Sequence, residues 1–218
     1  MSNGTFDVNE FIKESKDVLT DPKTYFSTMK TSGGIPEPLI KAVIYGAIAG
    51  AITFLWSILN IGVAGSSLLG GAIGVMAFVW SIIGAVIGLF IGGVILLIIS
   101  AICKGSTDFE ANVRVTAAVM VVMPISAFLG FLGHFNLYLG VIAGLAVNIF
   151  ALWLLYNGLV EALKAKPETT KIVMYVLVAI FVLFMITGLG AKRRANEFMK
   201  EFNNEDLKEL MQDTEKEE

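Results

Sequence analysis

The chain has 218 residues, 56% of them hydrophobic and only 16% charged, with a formal net charge of −3. Asp, Glu, Lys and Arg are missing from residues 42–103, 115–160 and 172–191, runs of 62, 46 and 20 residues. An average soluble domain carries about 25% charge spread along its length, so this composition excludes a soluble globular domain and a disordered chain and leaves an all-α, polytopic membrane protein.

In chain order, Val8, Phe11 and Ile12 recur at helical spacing among Lys13, Glu14, Lys16 and Asp17, which predicts a modestly amphipathic helix within residues 6–19. Asp7 followed by Glu10 resembles a capping box. Asp21-Pro22 reads as an N-cap with proline at the first helical position, opening a second short helix through Met29. Gly33, Gly34, Pro36 and Pro38 break that helix and hand the chain to its first apolar run. Residues 1–39 thus form a polar N-terminal segment, either a docking or membrane-surface element or a collar that packs on the bundle. They hold no apolar signal core, so the first hydrophobic helix is expected to remain as an anchor.

A membrane helix needs about 20 apolar residues to cross roughly 30 Å of hydrocarbon. The spans predicted on that basis are 40–61, 77–103, 115–132, 137–160 and 171–191. Glycines in the 62–76 stretch, each weakening a helix by about 1 kcal/mol relative to alanine, mark it as a connector. A turn near Gly133, His134 and Asn136 separates the third span from the fourth. Three spans would also fit the longest run, giving six. After the bundle (residues 40–191), residues 192–218 make a charged tail in which Phe198, Phe202, Leu207, Leu210 and Met211 suggest a second amphipathic helix.

Lysine and arginine bias sets orientation. With five spans, the N-terminal segment and the loops bearing Lys104, Arg114, Lys164 and Lys166 share one side, while the opposite loops hold no Lys or Arg. That places the N-terminus in the cytoplasm and the protein in the cell membrane. Lys192-Arg193-Arg194 runs against the bias; six spans would bring it inside but send the two middle basic loops out.

No ionisable side chain lies well inside a predicted span, which argues against a pump, a proton-coupled carrier and an intramembrane hydrolase. One cysteine, Cys103, and one histidine, His134, leave no internal disulfide and no multi-Cys or multi-His metal centre. No basic block can follow a phosphate backbone, which argues against nucleic acid as a partner. No catalytic, metal-binding or cofactor-binding residue is identified, and the protein is not expected to be an enzyme. Cys103, beside Lys104 at a membrane border, is a candidate for acylation.

Gly84, Gly88 and Gly92 form a row on one helical face; Gly46/Gly50 and Gly140/Gly144 add pairs. Such faces allow close helix packing, within the bundle or against a second copy of the chain. Pro124 removes a backbone donor in the third span and predicts a kink. Asn112, Asn148, Asn157, Ser57, Ser81, Ser126 and Thr116 could line a polar path, but such groups more often bond neighbouring helices. Trp56, Trp80 and Trp153 are candidate markers of interface depth.

Three stretches together resemble the Yip1 domain family. Leu19-Thr20-Asp21-Pro22, followed by Tyr25-Phe26, is similar to the family's prokaryotic motif ahead of the first span. Pro124 after a short polar loop looks like its third span. Tyr156-Asn157-Gly158-Leu159 before a polar loop is similar to the end of its fourth. The resemblance covers roughly residues 15–190. It implies five spans and a cytosolic N-terminus, with a role for eukaryotic members in vesicle traffic through Rab-type GTPases and sibling proteins. Those members carry an Asp-Leu-aromatic-Gly-Pro motif; here Asp21 meets Pro22 directly, as expected of a bacterial or archaeal member, and the GTPase role does not carry over. The expected function is a non-catalytic membrane adaptor or scaffold, linked to membrane organisation or trafficking, that docks a protein partner or its own copy through Asp21, Pro22, Tyr25 and Phe26. The alternative is a channel or facilitator for a small neutral solute.

Overall fold

Short polar side chains and prolines set the helix ends in the computed structural model, which describes residues 7–59, 70–185 and 187. The Asp7 carboxylate accepts the N–H groups of Asn9 at 2.8 Å and Glu10 at 3.3 Å and opens α1, Val8–Thr20. These are donors that a helix start otherwise leaves unpaired. Asp21 acts twice: its N–H closes α1 on Asp17 O at 2.9 Å, and its carboxylate accepts from Thr24 N–H at 3.2 Å to open α2, Pro22–Thr28. Pro36 and Pro38 start α3, Pro36–Ile58, where a proline in the first turn forfeits no intrahelical bond.

The remaining elements are α4 (Gly70–Ile102), α5 (Phe109–Val119), α6 (Val122–Leu129), α7 (Leu132–Phe135) and α8 (Leu137–Asn157). A π-helical turn, Gly158–Ala162, follows α8, and a last helix, α9, covers Pro167–Met185. Among the described residues there is no strand. Five stretches are long and apolar enough to cross a membrane: Pro36–Ile58, Gly74–Ile102, Phe109–Phe135, Tyr138–Ala162 and Pro167–Met185. The chain is an all-α, five-span membrane bundle preceded by two short helices. The expected tail helix and the end of the fifth span lie outside the described residues. Contacts divide the chain into two compact units, residues 1–174 and 175–218.

Two boundaries differ from expectation. Gly70, Gly71 and Gly74 lie inside α4 rather than in a connector. In lipid an unpaired amide costs several kcal/mol, more than a glycine's helix penalty of about 1 kcal/mol. The third span starts at Phe109, because the Asp108 carboxylate caps it by accepting Ala111 N–H at 2.7 Å. Glu110 and Arg114 therefore sit on the first turns of a membrane helix rather than in a loop.

Pro124 breaks the third span one turn upstream, as a proline must. The chain passes from α5 to α6 through Met120 and Val121, where Val121 N–H bonds Ala118 O at 3.3 Å and Met123 N–H bonds Met120 O at 2.9 Å. These tighter bonds recover donors and acceptors that the kink would orphan.

α3 and α4 form the most extensive helix contact among the described residues. A Cβ on Gly46 would fall 2.7 Å from Ala85 Cβ, and one on Gly50 3.0 Å from the Phe78 ring. Ser81 Oγ donates to Gly46 O at 2.9 Å across the same seam. At the opposite end from α1 and α2, Trp56 donates to Ala127 O at 3.1 Å and packs at 5.3 Å from the Phe131 ring. Trp153 stands well inside the fourth span, so the tryptophans do not mark a common depth.

Candidate functional site

The end of the bundle that carries α1 and α2 holds the strongest concentration of buried charge in the described residues. Arg114 on α5 and Lys41 on α3 are 6% and 8% exposed. Both look from sequence like flanking charges at span borders, yet both are buried because the N-terminal segment folds over them. Buried cations of this kind persist only when paired and hydrogen-bonded.

Their partners form one continuous relay. Glu14 of α1 meets Lys41 Nζ at 2.7 Å, and Lys41 meets Glu37 Oε1 at 2.8 Å. The other oxygen of Glu37 receives Arg114 Nη1 at 2.9 Å, and Arg114 Nε donates to Glu110 at 3.0 Å. The segment between α2 and α3 closes the ring: Arg114 Nη2 donates to Gly34 O at 2.9 Å, and Gly34 N–H donates to Glu110 at 2.6 Å. Gly33 and Gly34 adopt φ of +132° and +97°, a backbone region that glycine enters freely. A Cβ on Gly33 would lie 3.0 Å from Arg114 Nη2. Three carboxylates thus hold two cations and bind α1, the linker, α3 and α5 into one body.

Apolar contacts run beside the relay. Phe11 stacks at 5.1 Å from the Tyr45 ring, and the Tyr45 hydroxyl lies 2.7 Å from Ser15 Oγ. Between α1 and the bundle lies a cleft of about 580 Å³ lined by Glu10, Glu14, Tyr25, Lys30, Glu37 and Arg114 among others. Burial, and then the nearby Glu14 carboxylate, hold the Tyr25 hydroxyl well above the ordinary phenol range. The Thr24 hydroxyl and then its N–H, both hydrogen-bonded to Asp21, hold that carboxyl below the usual range.

The expected docking residues separate into two groups. Asp21 is exposed and Tyr25 half-buried, whereas Pro22 is buried and Phe26 is 0% exposed. Pro22 and Phe26 are therefore corrected from surface contacts to packing contacts. Phe26 turns inward to Gly158, where a Cβ would approach its ring edge at 3.4 Å. The motif before the first span and the one ending the fourth meet there. Gly158 and Leu159 are buried, Tyr156 is half-buried, and Leu163 N–H returns to Gly158 O at 3.0 Å in the π-helical pattern.

The glycine row also divides. A Cβ on Gly92 would meet Thr116 Cγ2 at 2.8 Å, so Gly92 packs inside the bundle. Gly84 and Gly88 have nothing within 4 Å of such a Cβ and face outward. Cys103 is 0% exposed, which removes the surface thiol that acylation needs. The polar residues of the spans spend their hydrogens on backbone: Asn148 on Gly144 O at 2.8 Å, Asn157 on Trp153 O at 2.8 Å, and Thr116 on Asn112 O at 2.9 Å.

Sequence reasoning missed Lys41, Arg114 and their three carboxylates as a set. Only the i,i+4 spacing of Glu37/Lys41 and Glu110/Arg114 was available as a signal.

Neither the curated proteins nor the solved structures give a match to the chain. The family model for the Yip1 domain matches residues 16–189, from the middle of α1 through α9. The chain therefore belongs to the Yip1 domain family.

Proposed function

We propose that this Yip1 domain protein is a non-catalytic membrane adaptor whose N-terminal collar, on the cytoplasmic side of the cell membrane, docks a protein partner. The observation that carries the reading is the mounting of α1. Phe11 and Val18 are buried against the bundle and Glu14 is locked to Lys41, while Val8 and Ile12 each remain 59% exposed on the outer side. An apolar pair held outward on a fixed helix is a pre-ordered contact surface, which lowers the ordering cost of association. Asp21 and the exposed edge of Tyr25 extend that surface. Lysine bias supports the cytoplasmic placement, and outward-facing Gly84 and Gly88 provide a second surface for another copy of the chain.

The test is a photo-crosslinking residue placed at Ile12 in the full-length protein in native membranes, with a second at buried Phe11 as control. A discrete protein adduct at Ile12, re-identified when that protein is purified in turn, supports docking. Adducts only to lipid at Ile12 would refute it.

A further inference from the structure

The loops that join α4 to α5 and α8 to α9 are locked together at the same end of the bundle as the collar. Ser106 N–H donates to Leu163 O at 2.7 Å and Lys166 N–H donates to Cys103 O at 2.9 Å, an antiparallel pairing of the two loops. Gly105 lies against this pair, where a Cβ would be 3.0 Å from Leu163 O.

Among the described residues, the non-glycine positions with positive φ are Lys104 at 58° and Lys164 at 55°. Lys104 ends α4 in a Schellman arrangement, with Gly105 N–H on Ser100 O at 2.8 Å and Lys104 N–H on Ala101 O at 3.1 Å. Glycine fills such a position with less strain. What lysine adds at both places is an ammonium group, and strained backbone of this sort gathers at functional positions. Lys104, Lys164 and Lys166 are all exposed on the paired loops.

Directly beneath is a notch of about 270 Å³ between α4, the α5–α6 break and α8, lined by Gly92, Ile95, Ile99, Thr116, Met123 and Leu155 with other apolar residues. Thr116 brings the one side-chain oxygen of this lining, and its hydroxyl already donates to Asn112 O at 2.9 Å. Ile99 lies three residues and Gly92 ten residues before the end of α4 at Ile102. At 1.5 Å per residue the notch runs from roughly 5 to 15 Å below the loops.

We propose that this end of the bundle holds one anionic phospholipid, with its headgroup phosphate against Lys104, Lys164 and Lys166 and an acyl chain in the notch. Charge complementarity selects the headgroup, and an uncharged notch in the membrane interior selects hydrocarbon. The carboxylates nearby lower the charge of the patch without reversing it. Asp108, which caps α5, with Glu161 and Glu168, makes three carboxylates against the four ammonium groups of Lys104, Lys164, Lys166 and Lys171. Lys164 Nζ spends one donor on Glu161 O at 2.7 Å and keeps two.

Native mass spectrometry of the full-length protein in detergent, with phosphatidylglycerol or phosphatidylcholine added, tests this. One phosphatidylglycerol should be retained in preference to phosphatidylcholine. The Lys104→Gly, Lys164→Gly variant should lose about fivefold in that affinity per lysine removed, with an unchanged or raised melting temperature because glycine relieves both φ angles. Val119→Phe, which fills the notch, should weaken retention of either lipid. Equal retention of the two lipids by the wild type would overturn the proposal. So would full phosphatidylglycerol affinity in the double-glycine variant or in Val119→Phe.

Discussion

Arg114 sits at the centre of the relay, bonded to two carboxylates and the Gly34 carbonyl. Arg114→Ala would leave Glu110 in a partly buried site without its cation and Glu37 with Lys41 alone. Both carboxylates keep some access to water and Glu37 keeps Lys41, so the loss should fall below the roughly 3–5 kcal/mol of a fully buried pair, and the variant should unfold at lower temperature or denaturant. Retained stability would mean that water already screens the pair. Two titrations follow from neighbouring groups. Tyr25 has its proton held more tightly in the folded state, so its contribution is complete below the unfolded phenol value near pH 10 and is lost as pH rises beyond it. In an absorbance titration of tyrosinate, Tyr25→Phe should remove a late phase. Asp21 has the opposite sign: its lowered value stabilises the α2 start above the unfolded carboxyl value near pH 4, and that is lost as pH falls through the folded value. Amide exchange at Thr24 should accelerate in acid and do so at all pH values in Asp21→Ala. At this scale the caps at Asp7 and Asp21 were legible, because a short carboxylate before a helical pattern acts locally. The burial of Lys41 and Arg114 was not. The Glu37–Arg114 pair joins positions 77 apart, and no local periodicity encodes that meeting.

Among the elements, glycine spacing was legible but its direction was not. GxxxG rows mark a face, and only the packed bundle decides whether that face looks inward. Gly46 touches Ala85 and the Ser81 carbonyl, whereas Gly88 touches nothing within 4 Å of a Cβ. Gly46→Leu should therefore destabilise the bundle by about 1–3 kcal/mol through overpacking. Gly88→Leu should leave monomer stability unchanged or raise it by up to about 1 kcal/mol from helix propensity. If Gly84 and Gly88 meet a second copy, Gly88→Leu should also lower the mass of the detergent-solubilised assembly. An unchanged mass with an intact fold would sink that interface. The third span teaches a related point. Pro124 announced a break, but its position at Met120–Val121 depends on which carbonyl loses its donor. The start at Phe109 is not legible in the sequence, because Glu110 and Arg114 mark a loop by their charge, whereas α3 and the collar shelter them.

Across the whole molecule, charge-free run lengths left five or six spans, and the glycine-rich stretch with the lysine and arginine bias favoured five, because lipid forces every backbone amide into a helix. The described residues hold five stretches long and apolar enough to cross a membrane, in agreement with five. What the sequence did not disclose is that α1 and α2 are built into the bundle: α2 seats Phe26 by the π-helical turn, and α1 is tied through Glu14 to Lys41. That construction buries Pro22 and Phe26 and leaves Val8, Ile12, Asp21 and part of Tyr25 at the surface. With α1 proposed as the docking face, reciprocal co-purification from native membranes is the most direct test. Wild type should capture a discrete protein that captures it in return, Val8→Ser with Ile12→Ser should lose that protein while melting as the wild type does, and Asp17→Ser should retain it. Undiminished capture by the Val8→Ser, Ile12→Ser variant would contradict the account.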